Sequence, residues 1–307
     1  MNAISFIPLL LALVLSPLLL GVINRTKALF AGRRGPPLLQ TYFDLWKLLQ
    51  KSAVYSRTTT WLFRAGPMLG LAAVLVAATL VPLGNFPALI AFPGDFFFFA
   101  CLLGLMRFFT VLAALDTGSS FEGMGASREV FFSALAEPAL LVALATLARQ
   151  AQNLSLSGIF GQVSGSHWLQ AGPVLALVLI ALMIVLLAEN ARIPVDDPNT
   201  HLELTMIHEV MVLDHSGPPL AVILHGASVK LLLFAVLLIQ AVLPMGELSP
   251  LAAVGALMAG VLSLTVGVGL VESLMARLAF RRVPLFLTTG FLLCLFSLLV
   301  AWKGGVK

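Results

Sequence analysis

Two clusters of ionisable residues stand out in an otherwise apolar chain. The first runs Asp116-Thr-Gly-Ser-Ser-Phe-Glu122, then Gly123-Met-Gly-Ala-Ser-Arg128-Glu129, then Glu137-Pro138. Arg128 and Glu137 lie nine residues apart, about two and a half helical turns, so no direct link joins them. A series of such groups with water between them can carry protons, because a carboxyl in apolar surroundings holds its proton to higher pH. Gly123-x-Gly125 is no dinucleotide fingerprint, since no strand precedes it and the third glycine is missing.

The second cluster is the densest polar stretch of the chain: Glu189-Asn-Ala-Arg192-Ile-Pro-Val-Asp196-Asp197-Pro198, then His201, Glu203, His208, Glu209, Asp214 and His215. The histidines at 201, 208 and 215 recur every seven residues, about 10 Å per step on a helix, too far apart to share one ion. His208-Glu209 lacks a second histidine four residues on, so it is not a zinc-protease motif. A docking surface combined with proton access fits this composition better than a metal site. Cys101 and Cys294 are far apart in apolar runs, which supplies neither a disulfide framework nor an iron–sulfur ligand set.

The elements that position these residues are membrane helices. The chain of 307 residues is 60% hydrophobic and only 10% charged, with a mean hydropathy of +1.03, against roughly 25% charged residues in soluble domains. A span needs about 20 apolar residues, and eight segments qualify: about 3–23, 62–83, 95–115, 130–149, 172–188, 220–243, 250–271 and 284–302. The fold class is therefore all-α, a polytopic membrane protein with 1–307 as a single transmembrane domain. The net charge of +4 does not mark a nucleic-acid binder, because no polar domain gathers the basic residues on one face.

The basic residues set topology instead. No basic residue precedes the first apolar run and no small-x-small cleavage site follows it; Arg25, Lys27, Arg33 and Arg34 come after it. That pattern predicts a retained helix with its N-terminus outside. The cytoplasmic loops then hold those four residues together with Lys47, Lys51, Arg57, Arg128, Arg192, Arg277, Arg281 and Arg282. The other side holds Arg149, Lys303 and Lys307, and both termini lie outside. Acids follow the same bias: apart from Asp95 and Glu247, all lie at or near the cytoplasmic side. Over 38–51, Gln40, Asp44, Lys47 and Lys51 recur at helical spacing among Leu, Tyr, Phe and Trp. This reads as an amphipathic helix, either lying in the interface or docked on a partner. Arg107, Glu137 and Lys230 fall within or near spans and should face the bundle interior, paired or hydrated, because a charge at the bilayer centre costs about 2.5–3.5 kcal/mol or more. Snorkelling or static salt bridges are the plainer account of the same three residues.

Several strings carry a resemblance. Arg33-Arg34-Gly35-Pro36 with Gln40, Asp44 and Lys47 resembles the first cytoplasmic loop of the quinone-proximal membrane subunit of respiratory complex I. So do Gly125-Ala126-Ser127-Arg128 with Glu137, Ala188-Glu189-Asn190-Ala191-Arg192-Ile193-Pro194-Val195-Asp196, Glu203-Leu204, Asp214-His215-Ser216-Gly217 and Glu272-Ser-Leu-Met-Ala-Arg277. Leu115-Asp116-Thr117-Gly118-Ser119 and Val195-Asp196-Asp197-Pro198-Asn199-Thr200-His201-Leu202-Glu203-Leu204 are closer to the membrane anchor of group 4 energy-converting nickel–iron hydrogenases, of formate hydrogenlyase, hydrogenase 4 or Ech type. Complex I subunits usually place further acids where this chain has Asn199 and His201, and a Glu-Tyr where it has Asp214-His215. Losing the acids that approach a quinone chamber favours the hydrogenase branch.

The resemblance implies a non-catalytic membrane subunit in the inner membrane of a bacterium or archaeon. Its ion pathway would run through Asp116, Glu122, Glu129, Glu137, Glu189, Asp196, Glu203, Glu209, Asp214 and Glu272, with Arg107, Arg128, Arg192 and Lys230 as charge partners. Arg33, Arg34, Asp44, Lys47, Asp197 and His201 would dock the hydrogenase large and small subunits and a ferredoxin-like iron–sulfur subunit. Those partners would carry the nickel–iron and iron–sulfur groups, leaving this chain without cofactor, and antiporter-like membrane subunits would sit beside it. The competing readings are a quinone-site subunit of complex I, a stand-alone ion transporter and a purely structural anchor. The transporter reading lacks an inverted repeat and paired broken helices.

Overall fold

Inside a bilayer the backbone has no water to bond, so each apolar run must satisfy its own N–H and C=O groups, and the helix does this within one segment. The computed structural model describes residues 7–197 and 206–304. Its long helices are α1 (Ile7–Phe30), α3 (Trp61–Leu80), α4 (Asp95–Asp116), α5 (Ser120–Ala151), α7 (Gly165–Glu189), α8 (Gly217–Val242), α9 (Pro250–Leu274) and α10 (Val283–Gly304), with two short ones, α2 (Gln40–Leu49) and α6 (Leu156–Gly161). Among the described residues, eight helices are long and apolar enough to cross a membrane. Each matches a predicted span.

The ends differ from expectation where charge is paired. Helix α5 begins at Ser120, ten residues before the apolar run expected at 130. Hydropathy places the boundary late because Glu122 and Glu129 lower the average, yet both are buried inside the bundle. Helix α1 likewise continues past 23 to Phe30, where Thr26 Oγ1 donates to the Val22 carbonyl at 2.9 Å and Lys27 reaches Glu272 at 2.8 Å.

Helix α8 is the hub. It packs against α1, α2, α3, α7 and α9, and apart from a few polar residues such as Lys230 and Gln240 it is apolar on all sides, as a helix enclosed by others is expected to be. Helices α3 and α4 pack closely through small residues, with Gly66 facing Ala113 and Gly70 facing Met106, the usual way for membrane helices to approach without a hydrophobic drive. The last two helices separate: α9 lies on α1 and α8, while α10 lies on α5 and α7. The segment 275–282 therefore crosses one end of the bundle, where the Leu278 amide donates to the Pro194 carbonyl at 2.9 Å.

The loops sort into two sets. Segments 31–60, 117–119, 190–197, 206–216 and 275–282 meet at one end: the Val54 amide donates to Ser216 Oγ at 3.0 Å, and Gly217, at φ +57°, lies against the carbonyls of Lys51 and Ser52. This is the end rich in Arg and Lys. At the other end, Asn85 Nδ2 donates to the Leu248 carbonyl at 2.6 Å and the Gly94 amide to the Leu154 carbonyl at 2.9 Å. There Asp95, fully buried, accepts from the Leu156 amide and Ser155 Oγ, both at 2.7 Å, and so caps α6.

Helix α2 forms within the expected 38–51, and Gln40 Nε2 donates to Asp44 Oδ1 at 2.8 Å along its polar face. It rests on α1 and α8 while Phe43, Trp46 and Leu49 stay exposed, as an interfacial helix would. The expectation for Asp95 is simple: replacing it with Ala strands two donors in a buried site, where each unsatisfied group costs about 1–3 kcal/mol. The purified Asp95→Ala protein should lose at least about 2 kcal/mol of stability in detergent unfolding, with the Arg-rich end of the bundle unaltered.

Candidate functional site

A buried polar cluster is built around Arg107, near the middle of α4 and 8% exposed. Its Nε donates to Glu129 Oε1 of α5 at 2.9 Å. One terminal nitrogen meets Glu137, also on α5, and the other meets both carboxylate oxygens of Glu189 at the end of α7. Lys230 of α8 approaches Glu189 Oε2 at 3.4 Å. Glu129 and Glu137 are eight residues apart, so they share one face of α5 and both can grip a single guanidinium. Gly104 permits the approach, since a Cβ there would sit 3.2 Å from the Glu137 carboxylate.

The network continues outward. Glu129 Oε2 pairs with His208 Nε2 at 3.1 Å, His208 Nδ1 with Asp196 Oδ2 at 3.2 Å, and Asp196 Oδ1 with Arg277 at 2.9 Å. A continuous line of charged groups thus leads from α4, α5, α7 and α8 to the loop surface at the Arg-rich end. Asp196 is fixed by the amides of Ile207 and His208, at 3.3 and 3.1 Å. The turn 207–211 lies directly on α5, because a Cβ at Gly125 would fall 2.2 Å from Val210 Cγ1 and 3.1 Å from the Ile207 carbonyl. A small cavity between α5 and α7 is bounded by Glu129, Phe132, Ser133, Glu189, Val195 and His208.

Burial opposes a charge on His208, but the Glu129 carboxylate and the hydrogen bond to Asp196 outweigh it and raise its pKa above the usual 6.5. Burial also pushes Asp196 upward, and its bond to His208 and the nearby charges more than reverse this, leaving it below the usual carboxylate value. His215 is the opposite case. It stacks on Phe63 with ring centroids 3.9 Å apart, and burial lowers its pKa to about 4, so its ring stays neutral.

A second ion-pair group lies elsewhere: Glu272 of α9 joins Lys27 of α1 at 2.8 Å and Arg192 at 3.4 Å. The remaining candidates take other positions. Asp116 accepts from the Thr60 amide at 2.7 Å, Thr60 Oγ1 at 2.8 Å and the Phe63 amide at 3.2 Å, which caps α3. Glu122 is buried and accepts from the Asp214 amide at 2.9 Å, while Asp214 itself is exposed. Arg128 points away from Arg107: it donates to the Met206 carbonyl at 2.9 Å and lies 5.0 Å from the Phe280 ring centroid. Arg33, Arg34, Asp44 and Lys47 are exposed, and Asp197 and Glu209 are part-exposed at the same end. His201 and Glu203 lie outside the described residues.

His208 is the linking residue; in sequence it stands only as the middle member of the histidine repeat 201, 208 and 215, whereas its partners lie 79 positions back and 12 positions back. The signal available in the sequence was only that one histidine sits in a stretch crowded with acids.

Two outcomes follow from this geometry. Gly125→Ala should overpack the contact between α5 and the 207–211 turn and cost about 1–3 kcal/mol, read as a lower unfolding midpoint of the purified protein. For pH, a raised histidine contributes stability that is complete below about 6.5 and lost as pH rises through its folded-state value. Thermal melts should therefore fall on going from neutral to alkaline pH, and His208→Gln should remove that dependence.

Comparison with known proteins places this architecture. The family model for NADH dehydrogenase matches residues 2–302. Formate hydrogenlyase subunit 4 of Escherichia coli (strain K12) is 34% identical over 294 residues, covering 92% of this chain and 94% of that protein. Hydrogenase-4 component C of the same organism is 33% identical over 235 residues, covering 76% and 73%. Among solved structures, a chain of the membrane-bound sulfane sulfur reductase, an archaeal respiratory membrane complex, superposes with a TM-score of 0.81 over 97% of this chain and 98% of that one. At 20% identity that likeness concerns the fold.

Proposed function

The chain belongs to the NADH dehydrogenase family, and from that premise we propose that it is the membrane subunit of an energy-converting hydrogenase complex. In this role it anchors a peripheral nickel–iron and iron–sulfur module and couples electron transfer there to movement of protons, or of sodium ions, across the membrane. The relatives in formate hydrogenlyase and hydrogenase-4 support the hydrogenase assignment.

One observation carries the coupling role: the unbroken line of paired charges from Arg107 through Glu129, His208 and Asp196 to the loop surface. Buried charges are expensive in a membrane protein and concentrate where ions or protons are handled. A static anchor has no need of three acids and two bases drawn from four helices.

The peripheral module docks at the Arg-rich end, which faces the cytoplasm by the positive-inside rule and leaves both termini outside. The exposed residues Arg33, Arg34, Asp44 and Lys47 and the part-exposed Asp197, with His201, meet a hydrogenase large subunit, small subunit and ferredoxin-like iron–sulfur subunit. Those partners carry the metal groups. The chain lies in the inner membrane of a bacterium or archaeon.

Glu137 supports a lateral partner. Its side chain is 44% exposed on the flank of α5, and a carboxylate left facing lipid is costly. An antiporter-like membrane subunit covering that flank would receive the charge signal from Arg107. Pro138 follows Glu137 inside α5 and removes one backbone hydrogen bond there, which loosens the helix beside the acid.

Glu137→Gln keeps the shape and removes one charge. In inverted membrane vesicles it should leave hydrogen turnover by the assembled complex within about twofold of native while lowering coupled ion movement at least about tenfold, the lower range of a positioned proton-transfer group. Unchanged ion movement in both Glu137→Gln and Glu189→Gln would overturn the coupling role.

A further inference from the structure

We propose that His208 and Glu129 share one mobile proton, which makes His208 the position where a proton passes between the loop surface and the Arg107 cluster. This deepens the coupling role and rests on it for its functional meaning.

The charges of the inner cluster do not balance without that proton. Arg107 and Lys230 supply two fixed positive charges against the three carboxylates of Glu129, Glu137 and Glu189. Asp196 is held by its own pair with Arg277. A proton on His208 or on Glu129 supplies the missing charge in either position, so the sum is the same before and after transfer.

The hydrogen bonds are conserved too. With the imidazolium formed, Nε2–H donates to Glu129 Oε2 across 3.1 Å and Nδ1–H to Asp196 Oδ2 across 3.2 Å. Moving the Nε2 proton to Glu129 leaves a neutral ring whose Nε2 accepts from the new carboxyl O–H, while Nδ1–H still donates to Asp196. One N–H bond breaks and one O–H bond forms, with no change of oxidation state. The ring cannot turn away, because Asp196 is fixed by two backbone amides and the turn is pressed on α5 at Gly125.

Access is present on both sides. The His208 side chain is 22% exposed, and Glu129, Glu189, Ser133 and His208 line the cavity between α5 and α7. Phe132, Ala136, Ala188 and Val195 complete its walls, and its volume of about 10 Å³ has room for a single water at most. A water there can reprotonate Nε2 or take the proton from Glu129.

Every packed element contributes a charge to His208. Glu129 from α5 and Asp196 from the loop after α7 touch it, while Lys230 from α8 and Glu189 from α7 act through space. Arg277 and Arg107 stand one pair further out. The raised pKa of His208 accords with occupancy of the ring at neutral pH.

The test uses the complete complex in liposomes, comparing native protein with His208→Lys, His208→Asn and Glu129→Gln. Lysine ordinarily titrates at about 10.4, so it keeps a fixed positive charge and exchanges no proton near neutrality. A structural charge at 208 is therefore rescued by lysine, and a proton carrier is not. We expect proton uptake in both His208 variants to fall at least about tenfold, the lower part of the range for a positioned acid–base group. Histidine-selective nitrogen NMR of the same complexes supplies the second readout, with the His208 signal assigned by its loss in His208→Asn. Its titration midpoint should fall in Glu129→Gln. Native uptake by His208→Lys, or a midpoint indifferent to Glu129, overturns the proposal. If His208→Lys does not assemble, the titration decides alone. A midpoint that responds to Glu129 in a native complex that moves neither protons nor sodium ions leaves the shared proton standing and overturns the coupling role instead.

Discussion

A guanidinium carries five N–H donors and cannot shed its proton, and Arg107 holds one inside an apolar bundle. The group is tolerable there only if carboxylates reach it, and no single helix can provide enough of them. Glu129 and Glu137 come from α5 and Glu189 from α7, with Lys230 of α8 offsetting part of the surplus negative charge. The positions of four helices are thereby tied to one side chain. Breaking one member leaves an uncompensated buried charge, which costs more than the intact group ever contributes to stability. The arrangement makes sense as machinery more than as reinforcement.

Much of the remaining structure serves to bring the loop onto that centre. The segment after α7 must fold back against α5 for Asp196 and His208 to meet Glu129, and the close approach at Gly125 lets it do so. The crossing from α9 to α10 holds the loop from the other side, through Leu278 on Pro194 and Arg277 on Asp196. The split between α9 and α10, which pack on opposite flanks, is what draws this crossing over the loop. Asp116 and Asp95 secure opposite ends of the bundle by capping α3 and α6. They are buried or part-buried acids whose partners are backbone amides and hydroxyls, with no ion pair to either among the described residues. A carboxylate among membrane helices thus has two uses in this protein, and only its partners tell them apart.

The sequence by itself determined the eight spans, because hydropathy is a local property and a membrane helix satisfies its backbone within its own segment. It also placed Arg107, Glu137 and Lys230 within or near spans, and the family strings indicated the kind of complex. Only the tertiary structure decided which of those charges belong together. Arg107 meets partners 22, 30 and 82 positions away, and Arg128, adjacent to Glu129 in sequence, turns away to the Met206 carbonyl and takes no part. The start of α5 at Ser120 was hidden for the same reason. A polar stretch looks like a loop until its charges find partners inside the bundle, and those partners lie on other helices.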